Sequence, residues 1–205
     1  MNCIKYLAKA SGLLGLLIIA ASCSENKEEL NGAKQATAPV KKDQFSFYKN
    51  IEIRPGLTFE VVSWGKGVDT VGGYLVLMSD SLKNNYKSLS NEREGVIKDA
   101  WNMDMDNDGN PEVYIEFLSN KNISDLHVYE YAGNSFNKIT FPGLSNSLKK
   151  IYGGNDKFTI DEGDLYRSFP IVNPTDTTEK AGEIKQVKYR LSGNSFSSSE
   201  VKKEE

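Results

Sequence analysis

The segment DMDNDGNPE, residues 104–112, runs directly into the alternating stretch VYIEF, residues 113–117. Side-chain oxygens recur at every second position of the segment, a glycine follows, and the next residues alternate between apolar and polar side chains. Three carboxylates this close in the chain repel one another unless a positive charge lies among them. The segment therefore indicates either a site for a hard cation at the start of a β-strand or an acidic turn between two strands.

As a metal site, the segment offers the oxygen ligands that calcium prefers. The predicted ligands are Asp104, Asp106, Asp108, Asn110 through its backbone carbonyl, and Glu112. Gly109 allows the sharp turn that such a loop needs. An EF-hand is excluded, because Ile115 stands where the bidentate glutamate would be required and no helical pattern flanks the loop. The layout is more similar to the calcium loops of β-propeller repeats. The alternative is an Asp/Asn-Gly turn held by side-chain to backbone hydrogen bonds.

Strand patterns separated by turn residues recur along the chain. They cover residues 57–61, 74–78, 113–117, 126–131, 158–160, 165–171 and 187–191, with similar hairpin turns at 133–136 and 193–196. If Val113, Ile115 and Phe117 face the core, Glu112 points to the other face of its strand, where it can reach the acidic loop. Residues 144–151 predict one or two helical turns, and 88–98 fit either a short helix or a strand. The spacing predicts one all-β domain over residues 44–196, a single antiparallel β-sandwich or flattened barrel.

The first residues predict a lipoprotein signal peptide over 1–22. Lys5 and Lys9 precede a short apolar run, and small residues lead directly to Cys23, which is the predicted lipidation site. The alternative is an ordinary secretory peptide followed by a chance cysteine. Residues 23–43 then form the lipidated cysteine and a flexible linker, and residues 197–205 form a polar tail. This arrangement predicts an outer-membrane lipoprotein of the cell envelope, periplasmic or surface-exposed, that contacts the membrane through its lipid alone.

Charge and composition exclude several classes of function. Removal of residues 1–22 takes away two lysines and changes the net charge from −3 to −5. Such an acidic secreted chain has no electrostatic attraction to nucleic acid, whereas it suits a cationic partner. The chain has two cysteines, Cys3 and Cys23, and a single histidine, His127. A catalytic triad or a zinc site cannot be assembled from these residues, so the chain is predicted not to be an enzyme.

Several blocks of sequence resemble the periplasmic inhibitors of invertebrate-type lysozyme. These blocks are residues 100–101, 104–115, 128–131, 141–142 with 152–158, 165–171 and 186–191. The resemblance covers about residues 95–196, and it implies a β domain that blocks a lytic enzyme. Members of that family present a Ser-Gly-x-Tyr loop that plugs the lysozyme cleft. The corresponding loop in this chain spans residues 119–125 and contains neither glycine nor tyrosine.

The resemblance makes this loop the candidate partner-binding site. Its candidate contact residues are Ser119, Asn120, Lys121, Asn122 and Ser124. The expected function is inhibition of a lysozyme-like protein by loop insertion. The alternative is a surface-exposed binding or scaffold lipoprotein that kept the fold, lost the inhibitory loop, and captures a glycan or protein ligand at the cell surface. A second copy of the chain, in a homodimer, is a further candidate partner.

Overall fold

A computed structural model describes residues 45–65, 71–119, 122–172 and 183–202. They belong to one compact unit that spans residues 41–205. The predicted signal peptide, the predicted lipidation site Cys23 and the linker to residue 43 lie outside the described residues. The described part of the chain contains no candidate membrane-spanning helix.

The described residues form β-strands with one short helix. The strands are β1 Phe47–Arg54, β2 Leu57–Trp64, β3 Val71–Asp80, β4 Asn85–Glu94, β5 Val96–Met103, β6 Glu112–Leu118, β7 Ser124–Ala132, β8 Ser135–Ile139, β9 Lys157–Asp161, β10 Asp164–Pro170, β11 Ile184–Ser192 and β12 Ser195–Glu200. The helix, α1, is Asn146–Ile151. It lies within the predicted helical stretch 144–151, and the side chain of Ser145 caps it by accepting a hydrogen bond from the Leu148 amide.

The strands form three antiparallel sheets of four consecutive strands each. The first sheet contains β1 to β4, the middle sheet β5 to β8, and the third sheet β9 to β12. Neighbouring strands in each sheet are also neighbours in the chain, so each sheet is a simple meander. The all-β prediction is confirmed, and because none of the three sheets closes into a barrel, a sandwich describes the fold better than a flattened barrel.

The middle sheet is buried on both faces. Val113, Ile115 and Phe117 of β6 belong to a core shared with the first sheet, as predicted. Tyr114, on the opposite face of β6, belongs to a second core that includes Leu165 of the third sheet. Each large apolar side chain buried in this way contributes roughly 1.5–3 kcal/mol to stability. The domain is therefore a sandwich of three layers, and β6 lies at its centre.

A single residue, Gly95, connects the first sheet to the middle sheet. Its φ is +82°, and a Cβ atom at this position would lie 2.2 Å from the carbonyl oxygen of Leu118. Only glycine satisfies both the backbone conformation and the close approach of β6. The segment 88–98, for which the sequence allowed either a helix or a strand, therefore forms strand on both sides of Gly95.

The last strand extends the domain beyond the predicted boundary at residue 196. Ser197 pairs with Arg190, and Glu200 pairs with Val187. The prediction of a polar tail beginning at residue 197 is wrong, because the polar side chains of β12 still pair through their backbone with β11. The strand β10 ends at Pro170, whose ring nitrogen cannot donate a hydrogen bond to a neighbouring strand.

Candidate metal centre and candidate binding cleft

The acidic loop joins β5 to β6, and side-chain hydrogen bonds hold its shape. The two oxygens of Asp104 accept hydrogen bonds of 3.0 Å from the amides of Asp108 and Gly109. Asp108 accepts from the backbone and side-chain nitrogens of Asn110, at 2.8 and 2.9 Å. Gly109 has a φ of +85°, which confirms the sharp turn predicted there. The side chain of Asn110 thus orients a neighbouring carboxylate.

Two carboxylates of the loop point into the protein. Glu112 is fully buried, and its Oε2 accepts from the Met105 amide at 2.9 Å and lies 3.5 Å from the Tyr114 hydroxyl. Its Oε1 is buried without a hydrogen-bond partner among the described residues. Asp106 accepts from the Gly193 amide at 3.0 Å through Oδ2, and its Oδ1 is also buried without a partner there. Glu112 lies on the strand face opposite Val113, as predicted.

Burial and like charges both disfavour the ionised form of Glu112. Its pKa is raised to about 7, mainly by burial; the hydrogen bond from the Met105 amide lowers the pKa, and the charges of Asp106, Asp104 and Asp108 contribute to the increase. One carboxylate oxygen from each of these four residues lies within 4.8 Å of the others. Four of the five predicted ligands are thus close together. The fifth, Asn110, donates hydrogen bonds to Asp108 and so helps to position that carboxylate. Such a cluster of oxygens can hold a hard cation.

The loop 119–125 lies at the opposite end of β6 from the acidic loop. The Ser119 amide donates to the Ile123 carbonyl at 2.9 Å, and the Asn122 amide donates to the Ser119 carbonyl at 3.1 Å. Asn120 and Lys121, two of the predicted contact residues, lie outside the described residues. The Asn122 carbonyl accepts a hydrogen bond of 2.8 Å from Asn155. The described ends of the loop are therefore hydrogen-bonded to each other and to the segment before β9.

Ser124, the last predicted contact residue, lies in the interior. Its hydroxyl donates to Glu116 Oε1 at 2.9 Å, and its amide donates to Asp156 Oδ2 at 2.9 Å. Its carbonyl accepts from Arg167 Nη2 at 2.9 Å. Because Ser124 is only 1% exposed, it holds the end of the loop in place and has no surface to offer to a partner.

A buried ion pair beneath this loop was missed from the sequence. Arg167 Nε lies 2.5 Å from Asp156 Oδ1, and their side chains are 5% and 0% exposed. The Tyr152 hydroxyl also donates to Asp156. Burial raises the pKa of Tyr152 to about 12, with further contributions from the hydrogen bond and the charge of Asp156. One sequence signal could have revealed Arg167, since it alternates in phase with Leu165 and Phe169 on the buried face of β10.

A cleft of about 750 Å³ opens beside the loop 119–125, between the first and the middle sheets. Its lining includes apolar side chains, Phe117 and Ile123, and three acidic ones, Glu92, Glu94 and Asp125. All three acidic residues are exposed to solvent. The neighbouring Arg93 is buried and donates to Ser63 Oγ at 2.8 Å, to the Trp64 carbonyl at 3.2 Å and to the Gly95 carbonyl. The exposed charges of the lining are therefore mainly negative.

His127 forms part of the cleft wall and takes part in a hydrogen-bonded network. Its Nδ1 lies 2.8 Å from the Tyr74 hydroxyl, which lies 2.7 Å from the Tyr129 hydroxyl. Asn91 donates to Tyr129 at 3.0 Å. Burial lowers the pKa of His127, so the neutral imidazole is favoured. His127 lies on β7 and pairs across the strands with Ile115 of β6.

Two candidate sites thus lie at the two ends of β6, roughly 20 Å apart on the usual rise per strand residue. One is the group of four carboxylates at residues 104–112, and the other is the acidic cleft beside the loop 119–125. Comparisons of the chain with protein-family models, with curated proteins and with solved structures gave no match.

Proposed function

We propose that the protein is a secreted, lipid-anchored and non-catalytic binding protein that inhibits a lysozyme-like enzyme. The proposal rests on the acidic cleft beside the loop 119–125, whose lining also includes the apolar Phe117 and Ile123. Glu92, Glu94 and Asp125 give this end of the domain a negative potential, which attracts a basic partner and orients it. Many lysozymes are basic, so charge favours this class of partner.

The shape of the site also suits an inhibitor better than an enzyme. The described ends of the loop 119–125 are held by a hydrogen bond between Ser119 and Ile123 and by the buried Ser124. Loop ends that are ordered before binding lose little conformational entropy when a partner binds. The one histidine of the chain has its Nδ1 engaged by Tyr74, and the chain has no second histidine to complete an acid–base pair. Localisation in the cell envelope, through a lipid on Cys23, belongs to the same proposal.

The direct test is whether the full chain inhibits the lysis of cell walls by lysozymes. Invertebrate-type, chicken-type and goose-type lysozymes are each assayed with increasing amounts of the protein. The rate of lysis by at least one class of lysozyme, first of all the invertebrate type, is expected to fall and to reach its minimum near an equimolar ratio of protein to enzyme. Full lytic activity of all three enzymes in the presence of excess protein would contradict the proposal.

A glycan-binding function is the second candidate, and a specific aromatic surface favours it. Trp64 is 40% exposed, and its ring lies against Gly73, where a Cβ atom would come within 2.1 Å of a ring carbon. Tyr48 lies on the same outer face of the first sheet and donates to Glu60 at 2.6 Å. An exposed aromatic ring lying along a sheet provides a surface on which a sugar ring stacks, with polar neighbours available for its hydroxyls.

This candidate is tested with a soluble chitooligosaccharide as the probe. If the surface binds sugars, titration changes the tryptophan fluorescence of the full chain, and Trp64→Ala abolishes the change. Trp101, which stacks on Tyr114 at 5.7 Å, serves as the internal reference because it lies away from this face. An unchanged response in Trp64→Ala, or no response in the wild type, excludes this use of the surface.

A further inference from the structure

We propose that the acidic loop binds a calcium ion through the carboxylates of Asp104, Asp106, Asp108 and Glu112, and that the ion fastens the middle sheet to the third sheet. The site is independent of the cleft at the other end of β6.

Two buried carboxylate oxygens of the acidic loop lack hydrogen-bond partners among the described residues. Oε1 of the fully buried Glu112 and Oδ1 of Asp106 have no hydrogen-bond partner among the described residues. Leaving a buried polar atom unpaired is costly, and more so for a charged group. Both side chains belong to the group of four whose ligand atoms lie within 4.8 Å of one another. A cation among these four carboxylates would satisfy both unpaired oxygens at once.

The second observation is the charge. Two carboxylates 4.8 Å apart repel by roughly 3–4 kcal/mol at an effective dielectric constant of 20, and the cluster contains several such pairs. None of the ion pairs formed within the described ranges includes any of these four residues. The hydrogen bonds that Asp104 and Asp108 accept do not prevent ligation, because each carboxylate oxygen has a second lone pair. A divalent cation would convert this repulsion into attraction.

The ligand set favours calcium over other divalent cations. It contains oxygen only, which excludes the softer metals that prefer thiolate or imidazole. Magnesium usually keeps several water ligands and uses one or two carboxylates, whereas calcium takes six to eight oxygens in flexible geometry. Four carboxylates gathered from one loop and the strand that follows it match the requirements of calcium better.

The position of Asp106 gives the ion its structural role. Oδ1 of Asp106 is buried without a partner among the described residues, whereas its Oδ2 accepts a hydrogen bond from the amide of Gly193, in the turn between β11 and β12. In the same turn, Asn194 Nδ2 lies 3.4 Å from Glu130 Oε2 of β7. An ion that fixes Asp106 therefore also fixes a contact between the middle and third sheets.

The test uses terbium(III) as a luminescent probe for the calcium site in the full chain. The Tyr114 hydroxyl lies 3.5 Å from Glu112, and Trp101 stacks on Tyr114, so both aromatic rings are close enough to transfer excitation energy to a bound ion. Excitation of the aromatic side chains is expected to produce saturable terbium emission that calcium displaces. Glu112→Gln is expected to weaken binding by about tenfold or more. Glu162→Gln, in the acidic turn between the first two strands of the third sheet, is the matched control and is expected to leave the emission unchanged.

A thermal melt distinguishes loss of binding from loss of folding. In chelator, Glu112→Gln is expected to melt at the same temperature as the wild type or higher, because it removes a repelling charge. In calcium, the wild-type midpoint is expected to rise while that of Glu112→Gln does not. The proposal is overturned if the wild type shows no sensitised emission, if Glu112→Gln binds terbium as tightly as the wild type, or if the wild-type midpoint is the same in calcium and in chelator.

Discussion

The amide of Gly193 donates a 3.0 Å hydrogen bond to Oδ2 of Asp106, and so joins two turns that lie 87 positions apart in the chain. One turn belongs to the middle sheet and the other to the third sheet, so this contact connects the two layers at the acidic end of β6. At the opposite end, Arg167 of the third sheet donates to the Ser124 carbonyl of the middle sheet. Polar contacts therefore hold the layers together at both ends of an apolar core.

The connection through Gly95 leads to a first prediction. Gly95→Ala is expected to lower the free energy of unfolding by at least about 3 kcal/mol, because a left-handed alanine is strained and its Cβ would meet the Leu118 carbonyl. Gly163→Ala is the matched control, since Gly163 has the same φ of +82° with nothing within 4 Å of the added Cβ. It is expected to cost only about 1 kcal/mol. Urea unfolding of both variants measures the difference, and equal costs would show that the close contact does not matter.

The buried ion pair leads to a second prediction. Arg167→Met is expected to lower the free energy of unfolding by about 3–5 kcal/mol, because it leaves Asp156 charged in the interior. The control is Arg190→Met, which removes a partner of Asp164 at 3.0 Å, with an arginine side chain that is 67% exposed. That change is expected to cost less than about 1 kcal/mol. A loss for Arg167→Met no larger than that of the control would refute the role assigned to the buried pair.

A third prediction concerns pH and the single histidine. Because burial lowers the pKa of His127, its NMR titration is expected to have a midpoint below the ordinary value of 6.5, and the signal is unambiguous since the chain has no other histidine. Between 6.5 and the lower folded pKa, the unfolded chain binds a proton that the folded chain does not. His127 therefore lowers stability as pH falls through that window and has no effect above it. A midpoint at or above 6.5 would contradict this account of its surroundings.

The sequence predicted most of the architecture because the relevant signals are local. Alternation along Val113, Ile115 and Phe117 correctly assigned the core face of β6, and Gly109 correctly located the turn before it. The burial of the other face could not be predicted, because Glu112 and Glu116 stand in it and alternate as exposed residues would. Their partners, the Met105 amide and the Ser124 hydroxyl, are brought to them only by the folded chain.

For the candidate sites too, features formed by residues close in the sequence could be predicted, and features assembled by the fold could not. The four carboxylates of the acidic loop are close in sequence, so their grouping could be predicted. The acidic cleft could not, because Glu92 and Asp125 come from different sheets and the shape between them depends on how the layers stack. The resemblance made Ser124 a candidate contact residue of the loop 119–125, yet its hydrogen bonds to Glu116, Asp156 and Arg167 hold it in the interior.

We propose that the cleft beside the loop 119–125 binds a basic, lysozyme-like partner. Isothermal titration of the full chain with a basic invertebrate-type lysozyme measures this binding. We expect a saturable complex that weakens as the salt concentration rises and that is about tenfold weaker for the double variant Glu92→Gln with Asp125→Asn. The affinity is expected to be unchanged for Glu52→Gln, because Glu52 is an exposed acidic residue of β1 outside the cleft lining. The asparagine at 125 keeps the acceptor for the Leu126 amide, so the variant removes charge without removing that hydrogen bond. No saturable binding, or equal affinity for the double variant and the wild type, would contradict the claim.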